Sequence, residues 1–280
     1  MPRSRAFAQV DVFSAVPYGG NPVAVILDAD GLGDQDMARI ARWTNLSETT
    51  FVLPPGTPDA DYRLRIFTPG GELPFAGHPT LGSAHAWLEH GGEPGTAGRI
   101  VQECAAGLVT LRHDDGALAF QAPPTIRSGE LEPADLDRVI EALALRPDQV
   151  LAHQWVDNGP GWAVVVLPDA QAVLDLVPDL SRIPDLPLGA IGAYPAGSRS
   201  AFEIRAFVPG IGVTEDPVTG SLNASVAQWM LRTGAVSGSY RVSQGTVLGR
   251  TGEVEITCAT DGEVWVGGAT TTCFAGTAFA

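Results

Sequence analysis

At 280 residues the chain can hold two domains of ordinary size, and its 45% hydrophobic, 18% charged composition is that of a globular protein. A net charge of −15 excludes the basic face of a nucleic-acid binder and disfavours an anionic membrane surface, though not a small anionic substrate. The 33 glycines and 22 prolines favour short strands and turns over a helical bundle.

Ala8–Phe13 alternates as a strand, Pro17–Pro22 is a turn cluster, and Val23–Leu27 reads as a buried strand. Asp34–Trp43 carries Met37, Ile40 and Ala41 at helical spacing after an acidic start, so a helix is expected there. Ser47–Leu53 and Tyr62–Phe67 are strand-like, and a helix is expected from Pro79 to about Glu89, stopped by Gly91-Gly92. Ile100–Leu111 and Leu118–Gln121 supply further strands. Ala122-Pro-Pro-Thr125 is the best linker, dividing the chain into 1–121 and 122–269. Beyond it come a helix at Pro133–Ala144, strands at Trp162–Leu167 and Ala201–Phe207, a helix at Pro217–Leu231, and closing strands at Gly252–Ile256 and Val264–Val266.

The opening residues have no apolar core of signal-peptide length, and no run approaches the ~20 residues of a membrane span. A cytoplasmic location is therefore expected. Cys104, Cys258 and Cys273 are odd in number and lack C-x-x-C spacing, and none of the five histidines is at His-x-x-x-His spacing. Neither a disulfide framework nor a catalytic metal is expected.

Two stretches are versions of one another. Arg65–Ala86 reads RIFTPGGELPFAGHPTLGSAHA, and Arg205–Ala224 reads RAFVPGIGVTEDPVTGSLNA. Both open Arg-x-Phe-x-Pro-Gly and later share [His/Asp]-Pro-x-x-Gly-Ser-x-x-Ala, which pairs His78 with Asp216 and Gly82-Ser83 with Gly220-Ser221. The offset is 216 − 78 = 138 residues, close to half the chain, so a duplicated domain with a site between its halves is expected. His78-Pro79 and Asp216-Pro217 read as helix N-caps followed by proline. Two such helix starts could receive a carboxylate on free backbone N–H groups, with Gly77, Gly82 and Gly220 allowing close approach. Glu48, in Asn45-Leu-Ser-Glu-Thr-Thr-Phe51, is flanked by apolar residues. A carboxylate drawn into the domain that way gains pKa and suits acid–base work near neutrality.

Four ordered motifs carry a specific resemblance: GGNPVAV (19–25), NLSETTFV (45–52), IFTPGGELPFAGHPTLG (66–82) and EDPVTGS (215–221). In order and spacing they resemble the phenazine-biosynthesis isomerase family, the PhzF-like proteins, from Val10 through Gly249. The resemblance implies an α+β fold like that of diaminopimelate epimerase. Its two pseudo-symmetric halves are each a curled, mostly antiparallel sheet around a central helix, the first completed by residues near 270–280. It also implies a cofactor-independent isomerase of a small carboxylate, working in a homodimer. The family's first-discovered members isomerise trans-2,3-dihydro-3-hydroxyanthranilate by moving a proton between ring carbons with a glutamate. By position Glu48 matches that glutamate, and His78 and Asp216 match its polar partners, which makes these three the expected catalytic residues. Ser47, Gly77, Gly220 and Ser221 match substrate-binding positions.

Two other readings compete. A racemase using a cysteine pair would need cysteines at repeat-equivalent positions, but Cys104 + 138 falls on Val242 and Cys258 − 138 on Phe120. A metabolite-binding or partner-binding protein could keep the scaffold without catalysis, although the intact Glu/His/Asp set counts against it.

Overall fold

The computed structural model describes residues 3–114, 117–209, 214–259 and 262–280. The chain forms two compact units, Met1–Gln121 with Gly267–Ala280, and Ala122–Val266.

The first unit contains β1 (Ser4–Val12), β2 (Asn21–Ile26), α1 (Asp34–Thr44), β3 (Glu48–Leu53), β4 (Tyr62–Thr68), β5 (Gly71–Leu73), α2 (Gly77–Glu89), β6 (Arg99–Cys104), β7 (Gly107–Asp114) and β8 (Ala117–Gln121). The second runs through β9 (Arg127–Gly129), α3 (Pro133–Ala142), β10 (Ala152–Asp157), β11 (Ala163–Val166), α4 (Ala170–Leu174), β12 (Leu188–Ala193), β13 (Phe202–Phe207), β14 (Glu215–Asp216), α5 (Gly220–Thr233), β15 (Tyr240–Gln244), β16 (Gly252–Cys258) and the first three residues of β17 (Val264–Gly268). The last strand, β18 (Thr270–Phe279), pairs antiparallel with β1 in the first unit.

Each unit repeats one pairing scheme. In the first, β1 is antiparallel to β2, β2 parallel to β3 across α1, and β3 antiparallel to β4. Strand β4 then takes β5 antiparallel and, across α2, β6 parallel. The second unit matches step for step: β10 is antiparallel to β11, β11 parallel to β12, and β12 antiparallel to β13. Strand β13 takes β14 antiparallel and β15 parallel across α5. Both parallel pairs need a crossover and get a helical one. Helix α2 packs against β1, β2 and β3 and also against β8 and β18, strands from both ends of the ladder. That is possible only if the sheet curls around it. The α+β fold with two alike halves is therefore the observed one.

The repeated Arg-x-Phe holds the same contact in each unit. Arg65 of β4 forks onto Glu72 of β5 at 2.7 and 2.6 Å and lies 5.1 Å from the centre of the Phe67 ring. Arg205 of β13 forks onto Glu215 of β14 at 2.9 and 2.7 Å and lies 5.0 Å from Phe207. The rest of the second copy's Arg-x-Phe-x-Pro-Gly ends at Gly210, which with residues 211–213 lies outside the described residues.

That shared bridge corrects the motif alignment. Ladder register sets Phe67 opposite Glu72 and Phe207 opposite Glu215, then Ile66 opposite Leu73 and Ala206 opposite Asp216. By register Asp216 therefore takes the place of Leu73, not of His78. The capping expectation changes too. Helix α2 starts at Gly77 with Ala76 as its N-cap, so His78 lies inside its first turn. Helix α5 starts at Gly220 with Thr219 as N-cap, so Asp216 ends strand β14 and Asp216-Pro217 precedes the helix rather than opening it. The physical reason is that Asp216 is drawn into the ladder with β13, while His78 lies well past β5.

Gly82 also has a different task from the expected one. A Cβ there would lie 2.4 Å from Val23 Cγ1 and 3.0 Å from Val12 Cγ2. Its missing side chain lets α2 settle onto β1 and β2, a packing role rather than a ligand-facing one. In the second unit the concession is made by the sheet: a Cβ on Gly189 of β12 would meet Leu222 of α5 at 2.8 Å. Ser83 is likewise committed to the core, its hydroxyl 2.8 Å from that of Thr50.

Among the described residues, no helix is long and apolar enough to cross a membrane.

Candidate active site

Helix α1 ends at Asn45, whose left-handed backbone (φ 54°) lets its N–H cap the Ala41 carbonyl. Asparagine tolerates that conformation better than most residues. The chain reverses through Leu46 and Ser47 and enters β3 at Glu48, which lies in parallel register beside Val23. Thr44 and Thr49 tie the two sides of this turn through hydroxyls 2.6 Å apart. The NLSETTFV motif is thus a device for delivering a carboxylate to the first residue of a buried strand.

Three motifs meet at that point. Glu48 Oε2 lies 3.2 Å from Nε2 of His78, and both residues are buried, at 8% and 4% exposure. The two atoms are in contact range without being aligned as a hydrogen bond. Catalytic contacts are often loose in unliganded proteins and tighten around substrate. On the ring's other side, Nδ1 lies 3.2 Å from Nδ2 of Asn21, a fully buried residue at the start of β2. Asn21 was not singled out from the sequence, though it stands in the GGNPVAV motif. Gly77 is buried in the same first turn of α2, and Ser47, half-buried, precedes Glu48.

Burial pushes the His78 imidazole down to about 3, with the Pro22 carbonyl opposing the shift. The ring is therefore neutral at physiological pH. As pH falls below 6.5, the ordinary value, the unfolded chain takes up a proton that the folded site refuses. The stability tied to this group is complete above pH 6.5 and is lost progressively toward pH 3. Chemical denaturation of wild type and His78→Gln across that range should show a shallower acid loss in the variant. Equal slopes would mean that the folded ring takes up its proton as the unfolded one does.

The remaining candidates lie in the second unit. Asp216 Oδ2 accepts a 2.6 Å hydrogen bond from the Thr219 hydroxyl. Ser221 stands in the first turn of α5, where its Oγ accepts from the Trp162 indole N–H at 3.0 Å and its carbonyl accepts from the Asn158 amide at 3.0 Å. Gly220 is the first, buried residue of that helix. Gln244, also missed from the sequence, is fully buried behind this segment and bonds to Thr219, Asn223 and the Asp216 carbonyl.

Elsewhere, an open hollow of about 500 Å³ beside Leu143, Leu167 and Leu176 contains none of these residues. Nor does a second one of about 520 Å³ beside Asp61, Arg99 and Val101. Among the described residues, no three His, Cys, Asp or Glu side chains are grouped to hold a metal ion.

Residues 10–276 match the model of the phenazine biosynthesis-like protein family. The chain belongs to this family. It is 39% identical to antisense-enhancing sequence 1 of Schizosaccharomyces pombe over 98% of each chain. It is 37% identical to a trans-2,3-dihydro-3-hydroxyanthranilate isomerase of Pseudomonas aeruginosa over 87% of each chain. In fold it is similar to a PhzF-family phenazine biosynthesis protein of Enterococcus faecalis, with a TM-score of 0.81 at 23% identity over 99% of this chain and 100% of that one. Several of its relatives are named isomerases, and this PhzF-family member is an enzyme of that class.

Proposed function

We propose that this PhzF-family protein moves a proton on a small carboxylate-bearing metabolite without a cofactor, using Glu48 as the general acid–base. The observation that supports this most is the buried contact between Glu48 and the neutral ring of His78. A carboxylate held at the head of a strand can accept a proton from an activated carbon, the electron pair shifting into the substrate's conjugated system. As the resulting acid it returns that proton to a second carbon, so atoms and charge balance with one group. Neutral His78, anchored from the far side by Asn21, orients the carboxyl without adding a charge beside it.

Asp216, Gly220 and Ser221 enter the proposal through the EDPVTGS motif shared with the family, as the residues that bind the substrate's polar groups, with Ser47 and Gly77 doing so from the first unit. A cysteine-pair mechanism has less support. Burial pushes the Cys104 and Cys258 thiols up, away from the thiolate that such chemistry needs.

The first substrate to test is trans-2,3-dihydro-3-hydroxyanthranilate, named for the Pseudomonas aeruginosa relative. Incubated with the protein in heavy water, it should yield a rearranged product with deuterium on the carbon that receives the proton. Rearrangement without solvent deuterium would mean that the Glu48 acid returns the abstracted proton before it exchanges with water. Recovery of unchanged compound would overturn this choice of substrate.

A further inference from the structure

The second unit contains two hydroxyls whose hydrogen directions can be read from their fixed neighbours. Gln244 is fully buried at the end of β15. Its Oε1 accepts from the backbone N–H of Thr219 at 3.0 Å, and its Nε2 donates to the backbone carbonyl of Asp216 at 3.2 Å. A backbone N–H can only donate and a carbonyl can only accept, so the orientation of the amide is determined without ambiguity. The same Nε2 donates to Thr219 Oγ1 at 3.0 Å. Thr219 therefore receives from Gln244 and has one hydrogen to give, which goes to Asp216 Oδ2 at 2.6 Å. The relay runs one way, from amide to hydroxyl to carboxylate, and holds Asp216 as an acceptor.

Ser221 is directed in the opposite sense. The indole N–H of Trp162 is only a donor and points at Ser221 Oγ from 3.0 Å. The hydroxyl hydrogen must then point away from the indole, which leaves Ser221 as a donor. Trp162 is itself buried and stands at the end of a hydrogen-bonded turn. Asp157 Oδ1 in that turn accepts from the N–H groups of Gly159 and Gly161, both at 2.7 Å, and Asn158 donates to the Ser221 carbonyl.

From these two chains of donors we infer that Gln244 and Trp162 are positioning residues. They preset Asp216 as a hydrogen-bond acceptor and Ser221 as a donor before any substrate arrives. Binding then costs no hydroxyl reorientation, which is the advantage of a preorganised polar site. The inference depends on the reading of Asp216 and Ser221 as substrate-binding residues, but the hydrogen directions do not.

Neutron diffraction from deuterated crystals tests the directions themselves. The Thr219 deuterium should point at Asp216 Oδ2 and the Ser221 deuterium away from Trp162. Either one reversed overturns the inference, whatever the substrate. Calorimetric titration with 3-hydroxyanthranilate, a flat carboxylate that cannot be turned over by the same proton shift, tests the consequence. Trp162→Phe keeps the ring and removes the N–H, and Thr219→Val removes the relay while keeping the shape. Each should weaken the probe about 3–10-fold, the scale of one neutral hydrogen bond, and Thr219→Ser should restore it. Unchanged affinity in both Trp162→Phe and Thr219→Val would overturn the positioning role. Failure of the wild-type protein to bind the probe would overturn the substrate-binding reading and the positioning role with it, whereas reversed deuterium positions overturn the inference alone.

Discussion

In the Glu48→Gln protein, turnover is expected to fall by about 10²–10⁴-fold or more while ligand binding survives. Glutamine keeps the volume and a carbonyl oxygen at the head of β3, so the contact with His78 and the pairing beside Val23 persist. What is lost is the ability to accept a proton and return it. A drop in kcat with little change in KM would place the loss in the transition state rather than in binding. Solvent deuterium exchange into substrate should vanish together with turnover. Near-wild-type kcat in this variant would remove Glu48 from the proton transfer and, with it, the proposed mechanism.

The second large effect is on stability, and it exploits the duplication. The Arg205–Glu215 bridge is sealed, with 4% and 9% side-chain exposure, and Arg205 also donates to the carbonyls of Val173 and Leu176. Its counterpart Arg65–Glu72 is more open, at 17% and 35%. Glu215→Gln would leave a buried guanidinium short of its counter-charge, which costs about 3–5 kcal/mol. Glu72→Gln breaks the same fork where water can replace the partner, and Asp34 still reaches Arg65 at 2.6 Å, so about 1 kcal/mol or less is expected. Denaturant titrations of the two variants should differ by that margin. Equal losses would mean that burial does not set the strength of the repeated bridge.

Much of the architecture was legible because it is written in local chemistry. Apolar residues at helical spacing marked α1, alternation marked β1 and β4, and the repeated Arg-x-Phe-x-Pro-Gly announced two halves that the pairing scheme duplicates. Strands β10, β12 and β15 were not anticipated. Leu188–Ala193 is built of small residues and glycine, and Ala152–Asp157 mixes polar with apolar, so neither carries a clean period of two. Those segments are strands because neighbours supply their ladder partners.

The motifs of residues 19–25, 45–52 and 66–82 were enough to nominate Glu48 and His78 from the chain alone, since glycine, proline and turn residues constrain the backbone wherever they stand. Their meeting at 3.2 Å, with Asn21 as a third member, depended on β2, β3 and α2 packing side by side. The equivalence of Asp216 with Leu73 rather than His78, the packing role of Gly82 and the anchoring by Gln244 were likewise decided only in three dimensions. Sequence comparison tracks which residue types recur. Register and packing are set by backbone hydrogen bonds and by the space between elements, which side-chain identities along the chain do not encode one position at a time.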